Sequence, residues 1–152
     1  LELINEFVKS RETLSYEILP QWLPGFAWYF GGSERLKVFN DRFDVDFIKK
    51  NNLPICLDLC HLGMSANSNS GSFISWFNEL APFTRHMHLA DYRGEDGEGL
   101  QIGDGEIENF DRILQNSNVK VLEVWQGHLN CGYAFKEAIS RLKKMGCLKN
   151  EE

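Results

Sequence analysis

Apolar residues fall along the chain in short runs set apart by longer stretches of mixed character. Four runs have the length and boundary residues of strands: "TLSYEI" (13–18), "PICLDL" (54–59), "RHMHLA" (85–90) and "VKVLEVW" (119–125). They are apolar on both faces, the pattern of buried parallel strands. Elsewhere the spacing becomes helical. "SERLKVFNDRFDVDFIKKNN" carries Leu36, Phe39, Phe43 and Phe47 at helix-like intervals, with Ser33 and Glu34 as its start. "GSFISWFNELA" puts Phe73, Trp76, Phe77 and Leu80 on one stripe behind Ser72, and "EIENFDRILQN" has a similar period. "CGYAFKEAISRLKKMG" turns Phe135, Ile139 and Leu142 inward and ends at Gly146, a residue suited to a left-handed cap. An opening helix followed by alternating strands and helices predicts an α/β fold: a parallel sheet with crossover helices. "HLGMSANSNSG" reads as a loop after the second strand, and the acidic, Gly-rich "RGEDGEGLQIGDGEI" (93–107) as a long one.

Composition narrows the function classes. The 152 residues suffice for one domain, taken as 1–152, and 43% hydrophobic with 25% charged residues is ordinary for a soluble protein. A net charge of −6 argues against general nucleic-acid binding but leaves room for a small anionic substrate. No apolar run is long enough to span a membrane, and no signal peptide is recognisable. Cys56, Cys60, Cys131 and Cys147 form no C-x-x-C pair, and read as reduced thiols of a cytoplasmic protein, with Cys56 as a small core residue. The first residue is Leu, not Met, and the chain reads as a piece of a longer protein.

The four strands share one property. Glu17 ends the first, Asp58 the second, His88 the third and Glu123 the fourth. Function collects at the carboxyl ends of parallel strands. By strand alternation His86 and His88 share a face, as do Val121 and Glu123, whereas Asp91 has the opposite parity and is a reserve ligand. Two Glu, one Asp and one His make a mainly oxygen donor set with one imidazole. That set suits one divalent ion: Mn²⁺, Mg²⁺, Co²⁺ or Zn²⁺. Any one of these acids alone reads more readily as a helix cap or a solvated loop residue, and it is the four together that point to a site. Trp22, Trp28, Phe30 and Trp125 lie near strand ends, where aromatics wall a pocket or simply fill the core.

"YEILP", "CLDLCH", "HMHLAD", "GDGEI" and "LEVWQGH", in this order and spacing, resemble the C-terminal half of a xylose isomerase-like (β/α)8 TIM barrel. That superfamily holds sugar phosphate isomerases/epimerases and apurinic-type endonucleases. The resemblance implies about four βα units of an eight-unit barrel. It implies that Glu17, Asp58, His88 and Glu123 bind the metal and that His61 of "DLCH" touches substrate. Glu17 and Glu123 would also move a proton next to a carbonyl, through an enediolate. Arg93 is a candidate for a substrate oxygen or phosphate, and His128 is more naturally a surface residue. The endonuclease branch needs a D-x-H pair before its Gly-acid-Gly turn; Gly97 and Gly99 stand there instead. The expected function is therefore a metal-dependent sugar or sugar phosphate isomerase/epimerase, without nucleic acid or membrane as partner. The alternatives are a non-catalytic barrel fragment that binds a sugar or a protein and, less favoured, a metal-dependent AP-endonuclease-type hydrolase. A half barrel would be completed by its N-terminal half or by pairing in a homodimer.

Overall fold

The computed structural model describes residues 2–29, 32–36, 39–116 and 119–148. Its centre is a parallel sheet of β3 (Ile55–Asp58), β4 (Thr84–Leu89) and β7 (Val119–Leu122), in that order. The register pairs Cys56 with His86 and Asp58 with His88, then His86 with Val119 and His88 with Val121. One sheet face therefore carries two rungs: Cys56, His86, Val119 below, and Asp58, His88, Val121 above. On the other face Leu57 and Met87 are fully buried under helices.

The first sequence-predicted strand does not form. Residues 14–20 are irregular, and pairing is confined to a parallel bridge between Gln21 and Cys56. Pro20 and Pro24 flank that bridge and have no N–H to extend a ladder. The chain then makes an antiparallel hairpin of β1 (Phe26–Tyr29) and β2 (Gly32–Arg35), where the sequence suggested a helix start at Ser33.

The helix predicted there begins later. α2 (Arg42–Asn51) starts at Asp41, whose side chain accepts from the Asp44 amide while Asp44 returns the bond to the Asp41 amide. This capping box sets the phase. Val45 and Ile48 turn inward and Phe43 is 84% exposed, not the inward position its spacing suggested. Asn52 in the left-handed region ends the helix, and the Leu53 amide donates to Ile48 O, a Schellman closure.

The stretch after Asp58 is helix, not loop. α3 (Leu59–Ser68) buries Leu59, Leu62, Met64 and Ala66. Gly63 lets it pack directly on Tyr92, since a Cβ there would lie 2.0 Å from the ring. α4 (Phe73–Leu80) follows the sequence reading: the Ser72 hydroxyl accepts from the Ser75 amide, and Trp76, Phe77 and Leu80 are buried. Each such side chain taken from water contributes about 1.5–3 kcal/mol. Trp22 packs edge-on against Trp76 at 6.0 Å and donates its indole N–H to Ser65 Oγ, so it is core and not pocket wall.

The 93–107 stretch is folded in part. β5 (Asp91–Arg93) and β6 (Gly97–Leu100) form an antiparallel hairpin. Asp91 is fully buried, and its carboxylate accepts from the amides of Tyr92, Gly103, Gly105 and Ile107. It organises the "GDGEI" turn, and its lone pairs are spent there rather than on a ligand. The predicted helix before β7 is short, α5 (Phe110–Ile113) continued by a 3-10 turn. α6 (Leu129–Lys144) buries Ala138 and Leu142, while Ile139 is exposed, contrary to its sequence assignment; Gly146, at φ 75°, closes the helix. The first helix, α1 (Glu2–Ser10), precedes the irregular segment. Among the described residues no helix is long and apolar enough to cross a membrane.

Candidate metal centre and its cleft

Three of the four strand-end residues meet. Ligand atoms of Asp58, His88 and Glu123 all lie within 4.8 Å of one another. β3 delivers Asp58 and β4 delivers His88. The Glu123 amide donates to Leu89 O, which carries the β4–β7 ladder one step past the strand and holds Glu123 beside His88. His88 Nδ1 stands 2.6 Å from Glu123 Oε2 and 3.6 Å from Asp58 Oδ2.

Asp58 is 2% exposed and uses its oxygens differently. Oδ1 accepts from the His61 amide as the N-cap of α3. Oδ2 faces the centre, 3.4 Å from Gln21 Nε2 and 3.3 Å from His61 Nδ1. The cap and ligand readings of this acid are thus compatible, one per oxygen.

The electrostatics follow from the packing. Burial opposes charge on Asp58, but His88 and His61 outweigh it and hold the carboxyl below its ordinary range. Asp58 in turn raises His88 to about 10, with Cys56 and Glu123 adding to it against burial. Glu123 moves the other way: burial raises its carboxyl, against the pull of His88 and with the repulsion of Asp58. For His61, burial opposes the charge, and the bond to Glu98 and the Asp58 carboxylate overcome it.

The remaining sequence candidates divide. His61 lines a cleft of about 120 Å³ with Asp58, Glu98, Glu123 and Trp125, and its Nε2 lies 2.8 Å from Glu98 Oε1. Arg93 points away and donates to the Asp104 carbonyl across the turn. Glu17 is exposed in the irregular stretch and does not join the cluster. Its strand lacks the pairing that would lift it to the sheet, and Gln21 occupies the neighbouring position, with Nε2 3.3 Å from His88 Nδ1. His128 is exposed before α6, Trp125 is a 71% exposed cleft wall, and the Trp28 side chain and Phe30 lie outside the described residues. Sequence reasoning missed Gln21 and Glu98. Gln21 follows a strand that does not form, and Glu98 is one acid among several in a stretch read as loop.

The chain matches the family described as Xylose isomerase-like TIM barrel over residues 2–145. It belongs to the xylose isomerase-like TIM barrel family. A crystal structure of a D-tagatose 3-epimerase-like protein superposes with a TM-score of 0.56 at 22% identity, over 94% of this chain and 54% of that one. No curated protein matches the sequence. The chain thus spans about half the length of the epimerase-like structure, and its parallel strands are part of an xylose isomerase-like barrel.

The donor set fits a divalent ion. Two carboxylates and an imidazole converge, and buried Asp58 Oδ2 is met by imidazoles and the Gln21 amide, with no Lys or Arg bonded to it among the described residues. A buried carboxylate is matched by a cation: protonated His88 supplies that charge here, and a divalent ion would supply it in the proton's place.

Proposed function

We propose that this chain carries the metal-holding part of a sugar or sugar phosphate isomerase/epimerase of the xylose isomerase-like barrel type. The observation that carries the reading is the convergence of Asp58, His88 and Glu123 at the carboxyl ends of three hydrogen-bonded parallel strands. These three residues would hold one Mn²⁺, Mg²⁺, Co²⁺ or Zn²⁺ ion, which supplies Lewis acidity toward carbonyl and hydroxyl oxygens.

The chain's own residues supply the rest. Glu123, with its carboxyl raised by burial, is suited to take a proton from carbon next to a carbonyl and to give it back. Returning it to the neighbouring carbon on the same face is aldose–ketose isomerisation, and one base suffices. Epimerisation needs a second base on the opposite wall, the role the resemblance implies for Glu17. Since Glu17 is not at the cleft, the residues gathered here support the one-base reaction better. His61 and Glu98, bonded to each other on the cleft wall, would take substrate hydroxyls. Trp125 gives an apolar surface for a sugar ring face.

The test has two stages. Mn²⁺ titrated calorimetrically into the wild type should bind with one-to-one stoichiometry, and Asp58→Ala should not bind. Ketoses and ketose phosphates incubated in D₂O should then take up deuterium beside the carbonyl. Glu123→Gln should stop that uptake and leave sugar binding in place. Mn²⁺ binding unchanged in Asp58→Ala overturns the metal site, and uptake unchanged in Glu123→Gln overturns the base.

A further inference from the structure

The lower rung of the same sheet face holds a second donor set. Cys56, His86 and His88 bring a sulfur and two ring nitrogens within 4.8 Å of one another. Cys56 and His86 are direct partners in the β3–β4 ladder, so their side chains leave adjacent strands side by side. The His86 and His88 rings meet edge to face at 5.1 Å. His86 Nε2 is buried and has no hydrogen-bond partner among the described residues. Buried polar atoms are almost always satisfied, so an orphan nitrogen beside a thiol and a second imidazole points to a missing partner. A hydroxyl or carboxylate would serve a lone imidazole, but neither stands on this rung; the next position is Val119.

We propose that Cys56, His86 and His88 form a second metal site for a borderline-soft divalent ion, Zn²⁺ or Co²⁺. One sulfur and two nitrogens are the ligand set such ions favour, whereas Mn²⁺ and Mg²⁺ favour the carboxylates above. Three protein ligands would leave a fourth position for water or another donor. Binding forms a metal–sulfur bond and releases to solvent both the Cys56 proton and the extra proton of the His88 imidazolium. His88 belongs to both donor sets, so a soft ion below takes an imidazole that a hard ion above also uses.

Cobalt distinguishes the two sites, because thiolate ligation gives a charge-transfer absorption in the near ultraviolet that an all-oxygen-and-nitrogen site lacks. Co²⁺ is titrated into a Cys131→Ser/Cys147→Ser background, which removes the two less buried thiols. Cys60 stays, its sulfur engaged by the Gly99 amide. The band should appear and saturate at one equivalent. It should vanish in Cys56→Ser, and His86→Gln should weaken Co²⁺ binding by more than the ~10-fold that even an outer partner of a ligand is worth. It should persist in Asp58→Asn, which removes a ligand of the upper set and none of the lower, so failure of the upper site is told apart from failure of the lower. Far-ultraviolet circular dichroism of each variant verifies the fold, and Cys56→Ala replaces Cys56→Ser if that variant is unfolded. Absence of the band, or a band surviving at Cys56→Ser or His86→Gln with unchanged affinity, overturns the proposal.

Discussion

At Asp58, Oδ1 accepts from the His61 amide while Oδ2 faces His88 and the cleft. Two substitutions separate these contacts. Asp58→Asn keeps a capping oxygen and removes the charge; Asp58→Ala removes both. Urea denaturation should find the Ala variant about 1 kcal/mol less stable than the Asn variant, the usual worth of an N-cap, while neither binds Mn²⁺ at the upper site. Asp91 is the contrasting acid. Strand alternation set it apart from His88, but nothing in the local sequence said that three amides ten or more residues on would converge on it. Asp91→Ala leaves four amides without their acceptor and should cost about 3 kcal/mol or more, read as a lower urea midpoint. Gly105 belongs to the same turn: a Cβ would lie 2.2 Å from Tyr92 O and 2.4 Å from Asp91 Oδ1.

Among the elements, those whose cap and stripe agree were legible. In α4 the Ser72 cap and the Trp76–Phe77–Leu80 stripe name one helix. In α2 the aromatic spacing pointed to a longer helix, and the Asp41 capping box, a purely local polar motif, fixed a different start and phase. The strand ending at Glu17 was illegible because a strand is made by its partners, and residues 14–20 have only the Gln21 bridge beyond them. The same two helices, α2 and α4, are tied across their surfaces by Glu79, which accepts from Arg42 and Lys49 at 2.5 Å each. Arg42 first, then Lys49, lower the Glu79 carboxyl to about 2 from an ordinary 4.5. A depressed carboxyl stabilises the folded state in full above its unfolded value and loses that contribution as pH falls through the folded one. The urea midpoints of wild type and Glu79→Gln should therefore differ most above pH 4.5 and converge toward pH 2. The gap should also narrow with added salt, since these groups are partly solvated.

For the whole molecule, the alternation of strands and helices was enough to read a parallel sheet with crossover helices, because such connections admit few other arrangements, and the barrel was read from the resemblance of the strand-end motifs. The two antiparallel hairpins were not readable, since neither carries an alternating apolar pattern. An ion bound only by the folded state raises its stability by mass action. Mn²⁺ at a hundredfold excess over its Kd should add ~2.7 kcal/mol, or roughly 5–10 °C in Tm, reversed by a chelator and absent in Asp58→Asn.

The β5–β6 hairpin is fastened to the loop after β7 at its base: the Trp125 amide donates to Gly99 O, and the Gly99 amide donates to Cys60 Sγ. With φ of 68° and Trp125 backbone about 3 Å from where a Cβ would sit, Gly99 admits no larger residue without moving that loop. Glu98 and Glu123, far apart in sequence, are thereby mounted on one stiff lip of the cleft. The hairpin tip at Glu95 and Asp96 projects from that lip into solvent. A fluorophore attached at Asp96 would ride on the lip without touching the cleft, and so report its displacement as an optical signal when a sugar enters.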